Sequence, residues 1–175
     1  MGRDKALLEI RGRPLWQHQL ETLRQLSPGQ LLLSGPSRDD IEGIADEVKD
    51  AGPLAGIAAA LRQSSSALLV VLAIDLPNMT AEFLRSLLAQ CEEDRGIVPS
   101  SSGRFEPLAA VYPLSCASLA AAALREGEFS MQDFVRRALD QRYVREREIW
   151  PNDKWLFQNL NRPEDYERAR HGEID

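Results

Sequence analysis

Two cysteines in 175 residues are too few for a disulfide framework. Cys91 and Cys116 also stand far apart, with no further ligand at metal-binding spacing. Each sits in an apolar helical context, which reads as a buried free thiol and fits a reducing cytoplasm. Basic residues are outnumbered: 21 Lys and Arg against 27 Asp and Glu leave a net charge of -6. That balance argues against a broad basic face for non-specific nucleic-acid binding. No apolar run approaches the roughly 20 residues of a membrane helix, and the charged N-terminus has no apolar h-region of a secretory leader. His18 has no cysteine, histidine or carboxylate at ligand spacing, so packing or surface exposure is the expectation. No serine occupies a G-x-S-x-G elbow. Neither an internal repeat nor a linker is visible.

What is present is an alternation of strands and helices. The length suits one domain, 1–175, with a real core. Pro14 to Leu26 reads as a helix, with Trp16, Leu20 and Leu23 on one face. Gln30 to Ser34 is a short strand, and Ile44 to Val48 a weak one. Gly52-Pro53 opens a helix whose inner face is Leu54, Ile57, Ala58 and Leu61. Ala67 to Ile74 is apolar without alternation, as expected of a strand buried on both faces of a parallel sheet. Thr80 and Ser130 read as helix caps, Gly96 to Pro99 and Pro107 to Tyr112 as strands, and Ser100 to Gly103 as a turn. Tyr143 to Ile149 is a polar strand. The order predicts an α/β fold, a Rossmann-like three-layer sandwich with a mostly parallel sheet flanked by helices. Ligands of such sheets bind at the carboxyl ends of strands.

That rule singles out Asp75, which directly follows the apolar strand. A carboxylate there can reach Mg²⁺, which takes one or two carboxylates along with phosphate oxygens and waters; an aspartate that merely starts the turn before Pro77 is the plain alternative. Lys5 follows Gly2, and a lysine on a glycine-containing loop can neutralise a nucleotide phosphate, or else be solvated near a terminus. Gly52 precedes a helix N-terminus, whose free amides can face an anion or simply begin the helix. Asn159 and Asn161 project the same way from an extended segment, and Asn161 also suits the cap of a last helix. Trp150 and Trp155 read as packing residues. Arg136, Arg137, Arg142, Arg145 and Arg147 form a modest basic group, a solvated face by default.

The segments Met1-Gly2-Arg3-Asp4-Lys5, Arg13-Pro14-Leu15-Trp16-Gln17-His18 and Gly52-Pro53-Leu54-Ala55-Gly56-Ile57 come first. Ala73-Ile74-Asp75-Leu76-Pro77, Pro107-Leu108-Ala109-Ala110-Val111-Tyr112 and Asn159-Leu160-Asn161-Arg162-Pro163-Glu164-Asp165 follow in order. This series resembles the molybdenum cofactor guanylyltransferase family over nearly the whole chain. The resemblance implies that GMP passes from GTP to molybdopterin, that pyrophosphate leaves, and that the guanine dinucleotide form of the cofactor results. It implies Mg²⁺ on Asp75, the triphosphate on Lys5, and nucleotide contacts from Gly2, Ser34, Asp46 and Gly52, with Asp50 a lesser claimant to the role of Asp46. Asn159 and Asn161 would lie on the substrate side, with the turn from Ser100 to Arg104 and the late arginines as candidate pterin contacts. Molybdoenzymes or their chaperones are the implied protein partners. Two features depart from the family. Its opening strand and Leu-Ala-Gly-Gly-x-Ser-x-Arg loop are represented only by Met1-Gly2, and Asn78 stands where an aromatic residue often follows the proline. Cytidylyl transfer, nucleotidyl transfer to another phosphorylated acceptor, and a non-catalytic nucleotide-fold module are the alternatives.

Overall fold

A computed structural model describes residues 5–10, 12–38, 41–45, 48 and 50–159. The strands and helices are, in chain order, β1 (Glu9–Ile10), β2 (Arg13–Pro14), α1 (Leu15–Arg24), β3 (Leu33–Ser34), β4 (Gly43–Ile44), α2 (Pro53–Gln63), β5 (Leu68–Leu72), α3 (Ala81–Leu88), β6 (Gly96–Ser101), β7 (Arg104–Phe105), β8 (Ala109–Pro113), α4 (Cys116–Glu126), α5 (Met131–Asp140) and β9 (Val144–Glu148). Short 3-10 segments cover Lys5–Leu7 and Pro151–Phe157. The chain folds as two compact units. One comprises Met1–Pro28, Leu72–Arg85 and Trp150–Asp175, and the other Gly29–Val71 and Ser86–Ile149.

The second unit holds the larger core. Leu54, Ile57 and Leu61 of α2, Cys116, Ala120 and Ala123 of α4, and Phe134, Val135 and Ala138 of α5 close over Val98, Ala110, Tyr112 and Val144 of the sheet. The alanine-rich sequence of α4 has a physical use: short side chains let it lie close against α2, which also buries Ala55 and Ala59. Tyr112 and Phe134 meet with ring centroids 5.6 Å apart and tilted by 50°, within the range of favourable aromatic pairs. The expected caps form. Ser130 Oγ accepts from the Asp133 amide, Thr80 Oγ1 accepts from the Phe83 amide, and Gly127 ends α4 in the left-handed region.

Two sequence expectations about the sheet need correction. It runs β5-β8-β6-β7, with β9 also pairing β6. β6 is antiparallel to both β7 and β8 and parallel to β9, so "mostly parallel" does not describe it. The cause is local. Ser102 and Gly103, the two residues between β6 and β7, have φ of 52° and 75°. Positive φ at both central positions is what a type I′ hairpin requires, and a hairpin is antiparallel. β8 runs on in the direction of β7 after only three more residues, too few for a crossover, and is therefore antiparallel to β6 as well. β9 follows two helices and has room to be parallel. The second correction concerns β5, read as buried on both faces. All five of its residues are only half-buried, because β5 is the last strand of its sheet among the described residues.

The first unit is smaller. Ile10 and Leu15 are buried together, with Leu8 and Ile74 packed against them, and the Leu15 amide donates to the Leu8 carbonyl at 2.9 Å. The face of α1 differs from expectation, since Leu15, Trp16 and Gln19 are its buried residues. Phe83 and Phe157 meet edge to face at 5.3 Å. Trp150 and Trp155, expected to pack, are 68% and 43% exposed. The 3-10 helix that follows Trp150 turns Leu156 inward instead.

Candidate functional site

Asp75 lies in a turn three residues beyond β5 and is half-buried. Its carboxylate makes no hydrogen bond or ion pair among the described residues. The backbone around it is held firmly. Gln19, buried on α1, donates through Nε2 to the Leu76 carbonyl at 2.7 Å and to the Ile74 carbonyl at 3.4 Å. The side chain of Ile74 packs on the Ile10–Leu15 cluster. Asp75 is thus fixed on both flanks while its own oxygens stay available.

The segments that carry two other candidates belong to the same unit. The 3-10 turn that Lys5 opens packs on α1, and Ala6 within it is buried. The chain then docks through Leu8 and Ile10 against Leu15 and Ile74, so the backbone carrying Lys5 belongs to the body that carries Asp75. On the other side Asn78 Nδ2 donates to the Trp155 carbonyl at 3.3 Å. That bond, with the Phe83–Phe157 contact, ties the segment leading to exposed Asn159 onto the loop after Asp75. Gly2, Asp46, Asn161 and the Lys5 side chain lie outside the described residues.

Ser34 and Gly52 belong to the second unit. Ser34 ends β3 and is exposed, opposite Ile44 of parallel β4. A Cβ on Gly43 would sit 2.0 Å from the Gly35 carbonyl oxygen, so only glycine lets the loop after Ser34 fold back over β4. Gly52 has φ 63° and ψ -155°, a region closed to other residues. No side chain caps α2; Pro53 carries no N–H and the Ala55 amide donates to the Gly52 carbonyl at 3.2 Å, so Leu54 is the first-turn residue whose amide can meet an anion or a ring edge.

The remaining sequence candidates are dispersed. Arg136 pairs with Asp133, and Arg137 with Glu126 and Glu128. Arg147 donates to Ser86 Oγ at 2.8 Å. His18 Nε2 donates to the Ile10 carbonyl at 2.8 Å, which is the packing role expected of it. Sequence reasoning missed Gln19 and Asn78 as supports. The one available signal for Gln19 was a polar residue four positions after Leu15, on the side of α1 that turned out to be buried.

No group of three or more His, Cys, Asp or Glu among the described residues gathers to hold a metal by protein ligands alone. A hard cation bound through one carboxylate, phosphate oxygens and water needs no such group. The uncommitted carboxylate of Asp75 fits that mode.

Solved structures match this architecture. A nucleotidyl transferase from Methanothermobacter thermautotroptrophicus superposes with a TM-score of 0.74 at 15% identity, over 96% of this chain and 84% of that one. At that identity it shows the fold alone, that of a nucleotidyltransferase. Molybdopterin-guanine dinucleotide biosynthesis protein A from Archaeoglobus fulgidus gives a TM-score of 0.70 at 28% identity, over 97% of this chain and 90% of that one. A probable molybdenum cofactor guanylyltransferase of Opitutus terrae is 38% identical across 97% of this chain and 88% of its own length. A molybdenum cofactor guanylyltransferase of Pseudomonas putida is 32% identical across 93% and 86%. The MobA-like NTP transferase domain matches residues 1–143, and the chain belongs to that family.

Proposed function

We propose that this chain transfers GMP from GTP to molybdopterin, giving the guanine dinucleotide form of the cofactor and pyrophosphate. The carrying observation is Asp75: a carboxylate free of protein partners, on a turn held by Gln19, in a chain 38% identical to a probable molybdenum cofactor guanylyltransferase. A terminal phosphate oxygen of molybdopterin attacks the α-phosphorus of GTP. The new P–O bond forms as the bond from the α-phosphorus to the bridging oxygen breaks, and the electron pair leaves on pyrophosphate. Such transfers need positioning and charge neutralisation more than a covalent protein group.

The residues divide that work. Asp75 would hold Mg²⁺, which when bound offsets phosphate charge as a Lewis acid. Lys5 would hold the triphosphate, and Gly2, Ser34, Asp46 and Gly52 would line the nucleotide pocket, the N-terminus of α2 facing an anion or the base. Asn159 and Asn161 would lie on the substrate side. Residues 1–175 would act as one catalytic domain in the cytoplasm, passing the finished cofactor to molybdoenzymes or their chaperones. No described helix is long and apolar enough to cross a membrane.

Titration of GTP against CTP, with and without Mg²⁺, tests this reading, followed by transfer to molybdopterin. Selective GTP binding with product formation is expected. Equal binding of both nucleotides, or CTP preference, would overturn the guanylyl assignment.

A further inference from the structure

Between β7 and β8 the chain leaves regular structure for three residues, yet the backbone polar groups of the first two, Glu106 and Pro107, are all held. The Phe105 amide donates to Gln132 Oε1 at 3.1 Å, and Gln132 Nε2 donates back to the Phe105 carbonyl at 2.9 Å. The Glu106 amide donates to the Pro99 carbonyl at 2.8 Å, and the Ala109 amide donates to the Glu106 carbonyl at 3.2 Å. The hydroxyl of fully buried Tyr112 donates to the Pro107 carbonyl at 2.9 Å. Every N–H and C=O from Phe105 to Pro107 is therefore bonded. Phe105 and Pro107 are themselves buried, on either side of Glu106.

The side chain so rigidly displayed has no protein partner of its own among the described residues. The Glu106 carboxylate is half-buried and makes no hydrogen bond or ion pair among the described residues. Burial raises its pKa, and the charge of nearby Arg104 only partly offsets that. Partly desolvated titratable groups, on a support fixed by hydrogen bonds, gather at functional sites. The chemistry also limits what it faces. An acidic group beside a triphosphate would oppose binding, whereas two adjacent N–H donors on a planar ring match a carboxylate in a paired, charge-assisted geometry.

We infer that Glu106 is a specificity residue that grips the aminopyrimidinone edge of a substrate, the adjoining ring N–H and exocyclic NH₂ shared by guanine and pterin. This rests on the proposed guanylyl transfer to molybdopterin. The edge can come from either substrate, and the test separates the two.

The full chain and its E106Q and E106D variants are compared by thermal unfolding, by GTP and ITP titration, and by transfer kinetics with molybdopterin. ITP lacks the 2-amino group. If guanine is the ligand, E106Q weakens GTP binding by about 10- to 100-fold, the usual worth of a hydrogen bond to a charged group, and GTP loses its advantage over ITP. If pterin is the ligand, GTP affinity stays unchanged while the KM for molybdopterin rises by a similar factor at near-normal kcat. E106D, which keeps the charge at shorter reach, falls between wild type and E106Q. Folded variants with unchanged GTP affinity, ITP discrimination and molybdopterin KM overturn the inference. Failure of the unmodified chain to bind GTP or transfer GMP is seen before any variant is made, and it removes the underlying reading and this inference with it.

Discussion

Gln19 and Leu76, 57 positions apart in sequence, are joined by a buried 2.7 Å hydrogen bond that fixes the residue directly after Asp75. The same amide reaches the carbonyl of Ile74 on the other side. Gln19→Leu keeps the volume but leaves both carbonyls without this donor. An unsatisfied buried group costs about 1–3 kcal/mol, and in a chain of this size about 2–4 °C of Tm follows each kcal/mol. Thermal unfolding should show that loss, and GMP transfer should fall further than stability alone accounts for. Wild-type turnover in a destabilised Q19L protein would show that the Asp75 turn needs no such support.

Asp75→Asn separates charge from shape. The side chain is half-buried and makes no protein hydrogen bond among the described residues, so stability should stay within about 0.5 kcal/mol, as for surface changes away from special features. A bound metal contributes several kcal/mol of charge stabilisation, and each 1.36 kcal/mol is about tenfold in rate. Turnover should therefore drop at least about 100-fold. Initial rates against Mg²⁺ concentration check this, and an unchanged rate and Mg²⁺ dependence would remove Asp75 as the metal ligand.

The place of Asp75 in the turn after β5 was legible in the sequence because its signal is local: an apolar strand that gives way to a carboxylate before Pro77. The helix caps at Thr80 and Ser130 were legible for the same reason, each being settled within three residues. Gln19 was not, since its partners lie 55 and 57 positions away. The antiparallel turn of the sheet was written in Ser102-Gly103, a dipeptide common in turns. Its consequence for strand direction was masked by the general α/β pattern. Trp150 and Trp155 show another limit, because side-chain size is local but what covers a side chain is not. Glu106 looked like any loop carboxylate until the hydrogen bonds on each side of it were known.

Gly96 starts β6, and its missing side chain is a packing requirement. A Cβ there would lie 2.0 Å from the Val111 carbonyl oxygen and 2.8 Å from its carbon, which is backbone of the neighbouring strand. Gly96→Ala must push β8 away from β6, where Ile97 pairs with Val111. Overpacking of this kind costs about 1–3 kcal/mol. The urea midpoint should fall accordingly, with faster amide exchange along β6 and β8. A midpoint equal to wild type would mean that the two strands separate at little cost.

The two thiols predict how stability responds to alkali. Burial pushes Cys116 from the ordinary 9.0 up to about 12. It pushes Cys91 up to about 11, this thiol being less deeply buried and its thiolate favoured by Arg145. The folded chain holds these protons more tightly than the unfolded chain, whose thiols titrate near their ordinary value. Above about pH 9 the unfolded state therefore carries fewer protons, and stability falls as pH rises. The contribution is complete below pH 9 and is lost between pH 9 and the folded values. Tyrosine and lysine also titrate in this window, so the informative quantity is the difference between wild type and the C91A/C116A variant. Replacing both residues lowers stability by a constant amount at neutral pH, through lost packing, and should flatten its decline between pH 9 and 11. Urea midpoints measured across that range decide the matter, and parallel curves for the two proteins would show that the thiols ionise as easily inside the fold as outside it.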